Sequence, residues 1–163
     1  QGCVDCQSNV GDCYENGLGA LKNMNKAVKY YKKAAAQNDA YAQYSLGNNY
    51  ANNGQQTLAI KYLKLAADNG QTAAQRKLGK VFEEMGKYKE ALKYLKMAAD
   101  NNDTNAQFEL AEFYETGFND PMQQRNKVPP NYKEALEYYR RAEQKGHPKA
   151  KRARTTLERK MRA

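Results

Sequence analysis

The phrase Lys26-Ala27-Val28-Lys29-Tyr30-Tyr31-Lys32-Lys33-Ala34-Ala35 returns three times along the chain. It recurs as Leu58-Ala59-Ile60-Lys61-Tyr62-Leu63-Lys64-Leu65-Ala66-Ala67, then as Glu90-Ala91-Leu92-Lys93-Tyr94-Leu95-Lys96-Met97-Ala98-Ala99, and last as Glu134-Ala135-Leu136-Glu137-Tyr138-Tyr139-Arg140-Arg141-Ala142. Ala27, Ala59 and Ala91 stand 32 residues apart, and Ala135 follows after 44. In the first copy Ala27, Tyr30, Tyr31, Ala34 and Ala35 fall at i, i+3, i+4, i+7 and i+8. That is the apolar stripe of an amphipathic helix, with lysines on the opposite face.

A second phrase alternates with the first. It reads Ala42-Gln43-x-x-Leu46-Gly47, Ala74-Gln75-x-x-Leu78-Gly79 and Ala106-Gln107-x-x-Leu110-Ala111, and Cys6-Gln7-x-x-Val10-Gly11 fits the same frame 36 residues before Ala42. Ala42, Leu46 and Tyr50 again share a helical face, and Asn38-Asp39, Asn69-Gly70 and Asn102-Asp103 mark short turns between repeats. A helix, a turn and a second helix form one unit that cannot bury both faces alone, so it stacks on its neighbours. The expected fold is all-α, a right-handed α-solenoid of four helix pairs and a final capping helix. First helices should centre near Val10, Leu46, Leu78, Leu110 and Leu157, second helices near Tyr31, Tyr62, Tyr94 and Tyr138. The expected organisation is a single domain over 1–163, with repeats at about 2–38, 39–70, 71–102 and 103–146 and a cap at 147–163.

These residues resemble the Sel1-like repeat family, a branch of the tetratricopeptide-type solenoids. The first repeat carries the resemblance best, with Val10-Gly11-x-x-Tyr14-x-x-Gly17-x-Gly19 and Asn23-x-x-Lys26-Ala27-x-x-Tyr30-Tyr31. The fourth keeps Tyr114-x-x-Gly117 and Asn131-x-x-Glu134-Ala135-x-x-Tyr138-Tyr139. The middle two lack the longer glycine turn and read as plain tetratricopeptide units. The resemblance implies an adaptor or scaffold. It also implies a concave groove lined by the residues two before, two after and five after the central Leu. By register these are Tyr44, Asn48 and Ala51, then Arg76, Lys80 and Glu83, then Phe108, Glu112 and Glu115, with Ser8, Asp12 and Glu15 in the first repeat. Tyr44, Asn48, Arg76, Lys80, Phe108 and Glu112 are the candidates for clasping an extended protein or peptide segment.

Charge divides the chain sharply. Of its net +9, residues 125–162 carry all, with 13 basic and 4 acidic side chains, while residues 1–124 balance 14 against 14. Lys149, Lys151, Arg152, Arg154, Arg159 and Lys160 form a candidate basic surface on the last segment. Capping a solenoid end calls for such a polar face. The alternative use is binding nucleic acid or another polyanion, but the segment lacks aromatics interleaved for base stacking. Ala150, Ala153, Leu157 and Met161 make its narrow apolar stripe.

Catalytic chemistry finds little material here. There is one His and there are three Cys. Cys3-x-x-Cys6 has no further nearby ligands to close a zinc site and no βαβ context for redox work. Cys6 is expected as a small core residue, since it stands where Ala42, Ala74 and Ala106 stand, and Cys13 as a packing residue. His147, before Pro148, reads as a solvated turn residue. No nucleophile–base spacing, phosphate loop or metal motif appears, so no enzyme activity, cofactor or metal is expected. The insertion from Gly117 to Pro130 holds Phe118, Pro121 and Met122, which serve either as a contact patch or to fold the loop back on the array, and Asn131 with Glu134 is spaced as a capping box. No apolar run reaches the roughly 20 residues of a membrane helix. A first residue of Gln1 suits a processed form or fragment.

Overall fold

The computed structural model describes residues 4–117 and 129–162. Cys3, Phe118, Pro121 and Met122 lie outside them. Among the described residues there are nine helices and no strand: α1 (Val4–Asn16), α2 (Met24–Ala35), α3 (Ala40–Asn52), α4 (Gln56–Asp68), α5 (Thr72–Glu84), α6 (Tyr88–Asp100), α7 (Thr104–Thr116), α8 (Tyr132–Gln144) and α9 (Ala150–Arg162). The chain is an all-α solenoid of helix-turn-helix repeats. Leu46, Leu78 and Leu110 stand at the midpoints of their 13-residue helices, as do Tyr62, Tyr94 and Tyr138.

Helix starts follow from short polar side chains. Asp39 and Asp103 accept hydrogen bonds from the backbone N–H of Ala42 and Ala106, at 2.6 and 2.7 Å. Asn23 and Asn131 accept from Lys26 and Glu134 in the same way. The backbone N–H of Asn23 and Asn131 donates to the carbonyls of Tyr14 and Tyr114. So the Asn131–Glu134 box closes on one side only. The turns between repeats need left-handed backbone at Asn38, Gly70 and Asn102, which Asn and Gly supply.

The chain divides into two compact units, residues 1–77 and 78–163. In the first unit α1 packs on α2, α2 on α3 and α3 on α4; in the second α6 packs on α7, α7 on α8 and α8 on α9. Three devices recur within the units. The first is a close approach. A Cβ at Gly11, Gly47 or Gly79 would sit 2.5–2.6 Å from Tyr31, Leu63 or Leu95, all fully buried. Only glycine lets those side chains reach the first helix. The second is an aromatic stack across each helix pair: Tyr14–Tyr30, Tyr50–Tyr62, Phe82–Tyr94 and Tyr114–Tyr138, with ring centroids 5.5–5.8 Å apart and planes within 19°. Such offset pairs contribute about 0.5–1.5 kcal/mol each beyond burial.

The third device is the glutamine of Ala-Gln-x-x-Leu-Gly. Gln43, Gln75 and Gln107 are buried, and each donates from Nε2 to a carbonyl at the end of the preceding helix: Ala35, Ala67 and Ala99, at 3.3, 3.2 and 3.1 Å. These are carbonyls a helix end leaves without an intrahelical partner. Cys6 departs from expectation. It is exposed, whereas Ala42, Ala74 and Ala106 at the same repeat position are fully buried. The helices α3 and α7 lie against α2 and α6; no described helix precedes α1.

Candidate functional site

In the second unit the α7 core side is fixed by Ala106, Leu110 and Ala111, each fully buried. That leaves Phe108, Glu112 and Glu115 on a neighbouring face, which turns toward the start of α9. There they line one cavity of about 500 Å³ with Tyr139, Pro148, Lys149, Arg152, Ala153 and Thr156. Its floor is aromatic. Phe108 is only 8% exposed, stacks on His147 with centroids 4.1 Å apart, and meets Tyr139 at 5.5 Å.

The polar groups of the cavity are held by that floor. Tyr139 donates its hydroxyl to Glu115 Oε2 at 2.7 Å. Burial, followed by the bond to Glu115, drives the phenol far above its ordinary ionisation range. Glu112 has its carboxyl pushed up, first by burial and then by the negative field of Glu109, with Lys149 opposing. The cavity thus sets two carboxylates beside two cations over an apolar base. It can grip a chain that carries polar groups of both signs and an apolar side chain.

His147 is not a solvated turn residue. It is partly buried against Phe108, and desolvation together with Lys149 lowers its basicity. Its backbone N–H donates to Ala142 O, so it closes α8 and roofs Phe108 at once. The sequence offered one clue, Pro148, which commits the residue before it to extended backbone at a helix entry.

The six candidate groove residues separate. Phe108 and Glu112 share the cavity, with Phe108 as buried floor rather than open anchor. Lys80 is exposed and pairs with Glu109 at 2.9 Å. Tyr44, Asn48 and Arg76 are half-buried in the first unit. In α1 the corresponding Asp12 and Glu15 share the buried Tyr31 hydroxyl, at 2.6 and 2.5 Å, and Tyr41 donates to Asp12 Oδ1 at 2.7 Å. Asp5, Ser8, Asn9, Asp12, Asp39 and Tyr41 line an open cavity of about 470 Å³ there.

The basic candidates separate too. Lys149 and Arg152 belong to the α7–α9 cavity. Lys151, Arg152 and Arg159 line a second depression of about 590 Å³ with Pro148, Thr155 and Thr156. Lys160 lies 5.0 Å from the ring centre of Tyr132. Arg154 is no part of an open surface. It donates from Nε to Glu143 and from Nη1 to Glu158, both at 2.7 Å, with its side chain 22% exposed. Glu143 sits where Ala35, Ala67 and Ala99 sit, and Arg154 sits where the glutamines sit, so an ion pair replaces the amide–carbonyl bond at this last joint. Ala150 and Leu157 are fully buried as the apolar stripe requires, while Met161 is exposed. Among the described residues no cluster of His, Cys, Asp or Glu is arranged to hold a metal ion, and no helix is long and apolar enough to cross a membrane.

The Sel1 repeat model matches residues 4–39 and 104–147, and tetratricopeptide repeat models match residues 40–68 and 76–107. Among solved structures, a Sel1 repeat protein from Oxalobacter formigenes is 28% identical with a TM-score of 0.73, over 91% of this chain and 60% of that one. A protective antigen of uropathogenic Escherichia coli with an SLR fold is 26% identical with a TM-score of 0.74, over 87% of this chain and 30% of that one. An immunity protein from Pseudomonas aeruginosa is 26% identical with a TM-score of 0.57, over 91% and 55%. The chain therefore spans less than two thirds of the length of each. A search of curated protein sequences finds no match.

Proposed function

Because this chain is a Sel1-like repeat protein of the tetratricopeptide-like class, whose repeats serve as protein-interaction modules, we propose that it is a non-enzymatic adaptor gripping a protein or peptide segment at the α7–α9 cavity. Repeats at about 2–38, 39–70, 71–102 and 103–146 with the cap at 147–163 are its units. One observation carries the reading: Phe108 and Tyr139 floor a cavity of about 500 Å³ walled by Glu112 and Glu115 on one side and Lys149 and Arg152 on the other. An apolar base ringed by fixed charges of both signs suits the backbone and side chains of a bound segment.

The test is selection from a random peptide display library on the 163-residue chain, followed by affinity measurement with the enriched peptides. Glu112→Gln, Lys149→Gln and Arg152→Gln keep the aromatic floor, and each should weaken binding about tenfold or less, the triple variant more. Failure to enrich any peptide, or full affinity in the triple variant, would remove the cavity as the binding site.

A further inference from the structure

Two helices of this chain are cast in the same register with opposite charge. Aligned on the central Val10 of α1 and Leu157 of α9, the positions five before, two before, one before and two after read Asp5, Ser8, Asn9, Asp12 in α1 and Arg152, Thr155, Thr156, Arg159 in α9. All eight residues line open depressions, α1's with Asp39 and Tyr41, α9's with Pro148 and Lys151. Each surface therefore presents two like charges two helical turns apart, on the order of 10 Å, with small polar residues between them. The intervening first helices do not repeat this. At the same outer two positions α3 has Tyr41 and Asn48, α5 has Ala73 and Lys80, and α7 has Asn105 and Glu112. With these positions included, α1 carries three acidic and no basic residues, and α9 six basic and one acidic.

The charges are available and partly pre-positioned. Asp5, Asn9, Arg152, Thr156 and Arg159 are exposed. Asp12 is held in place by the Tyr31 and Tyr41 hydroxyls, both on Oδ1. Arg154, the cation that does belong to the fold, points instead to Glu143 and Glu158.

We propose that these surfaces are the two halves of a self-association interface, in which α1 of one copy docks on α9 of a second copy. A polyanion would account for α9 and leave the inverse pattern on α1 without a role; a second copy accounts for both at matched spacing. Each contact pairs one acidic surface with one basic surface, and a chain carries one of each. Resting on exposed charges, the contact is weak and sensitive to salt. It shares Pro148, Arg152 and Thr156 with the peptide cavity proposed above, whereas Arg159 and the whole α1 surface lie outside that cavity.

Sedimentation velocity of the 163-residue chain at roughly 10 µM to 1 mM should show association that weakens about tenfold or more between roughly 0.05 and 0.5 M NaCl. Asp5→Arg with Asn9→Arg removes the net negative charge of the α1 surface without touching Asp12, and Arg152→Asp with Arg159→Asp removes the net positive charge of the α9 surface. Each alone should remain monomeric with its helical dichroism intact. An equimolar mixture should associate again, because the first variant keeps the basic α9 surface and the second keeps the acidic α1 surface. If either double variant fails to fold, Asp5→Lys and Arg159→Glu singly should each weaken association about threefold or more. A wild-type chain that stays monomeric throughout, variants that associate as the wild type does, or a mixture that stays dissociated would each overturn the proposal. So would heparin binding that depends on Arg152 and Arg159 in a chain that does not self-associate.

Discussion

Gly47 and Gly79 are the smallest residues on their helices, and the side chains packed on them are Leu63 and Leu95, fully buried. A methyl at Gly47 would lie 2.6 Å from Leu63 Cγ and 3.1 Å from the Leu63 backbone nitrogen, so moving the leucine does not clear the site. Gly47→Ala should therefore cost about 1–3 kcal/mol, read from the urea midpoint, despite alanine's better helix propensity. That prediction was within reach of the sequence, because glycine recurs after the central residue in three of four repeats. The role of Gln43, Gln75 and Gln107 was not. A polar residue beside an apolar stripe looks solvated, and its partner is a carbonyl eight residues back, across a turn, which no single-helix periodicity reports. Once seen, the device exposes a fault. Gln43 Oε1 accepts from Asn69 at 2.9 Å, but Gln107 Oε1 is buried without a partner, and Lys145 caps the end of α8 where Asn69 caps the end of α4. Lys145→Asn should supply the missing donor and raise stability by about 1 kcal/mol, visible as a higher thermal midpoint.

At the scale of the element, α9 shows what periodicity can and cannot give. The stripe Ala150–Ala153–Leu157 was legible because apolar spacing is written in the helix itself, and α9 packs on α8 accordingly. The charges on the other faces all look alike in sequence. Only the placement of Glu143 and Glu158 separates Arg154, an anchoring residue, from Arg152 and Arg159. Arg154→Glu sets a third carboxylate beside those two. It should lower the thermal midpoint and speed amide exchange through 150–162, while Arg152→Glu and Arg159→Glu leave both nearly unchanged. Equal effects from all three would mean that α9 is held by its apolar stripe alone. The same limit hid the α7–α9 cavity. Phe108, Glu112, Lys149 and Arg152 were each visible as candidates, on two separate grounds, but their convergence depends on how α9 meets α7 and α8.

At the scale of the whole molecule, the composition predicts an alkaline weakness. The chain has 13 tyrosines, and the helix pairs use them as packing rather than as decoration. In the first unit burial pushes Tyr31 far up and Tyr41 to about 12, each assisted by the hydrogen bond to Asp12. In the second, burial raises Tyr114 and Tyr138, and burial with the bond to Glu115 raises Tyr139 further. A phenol that ionises later in the fold than in the unfolded chain favours the fold as long as it stays protonated. That contribution is fully present below the unfolded value of about 10 and is lost as pH rises through the folded values. Because both units contain such groups, both should lose stability together above pH 10. Absorbance at 295 nm should then show a late class of tyrosine whose ionisation coincides with loss of the helical dichroism signal. Tyr31→Phe and Tyr139→Phe each remove one of the late-titrating hydroxyls, in the first and second unit respectively, and should flatten the alkaline decline in proportion while leaving Asp12 and Glu15, or Glu115, with one fewer donor at neutral pH. A single tyrosine class titrating near pH 10 in a chain that keeps its helices would mean that the phenols are solvated, and the packing assigned to them would fall with that result.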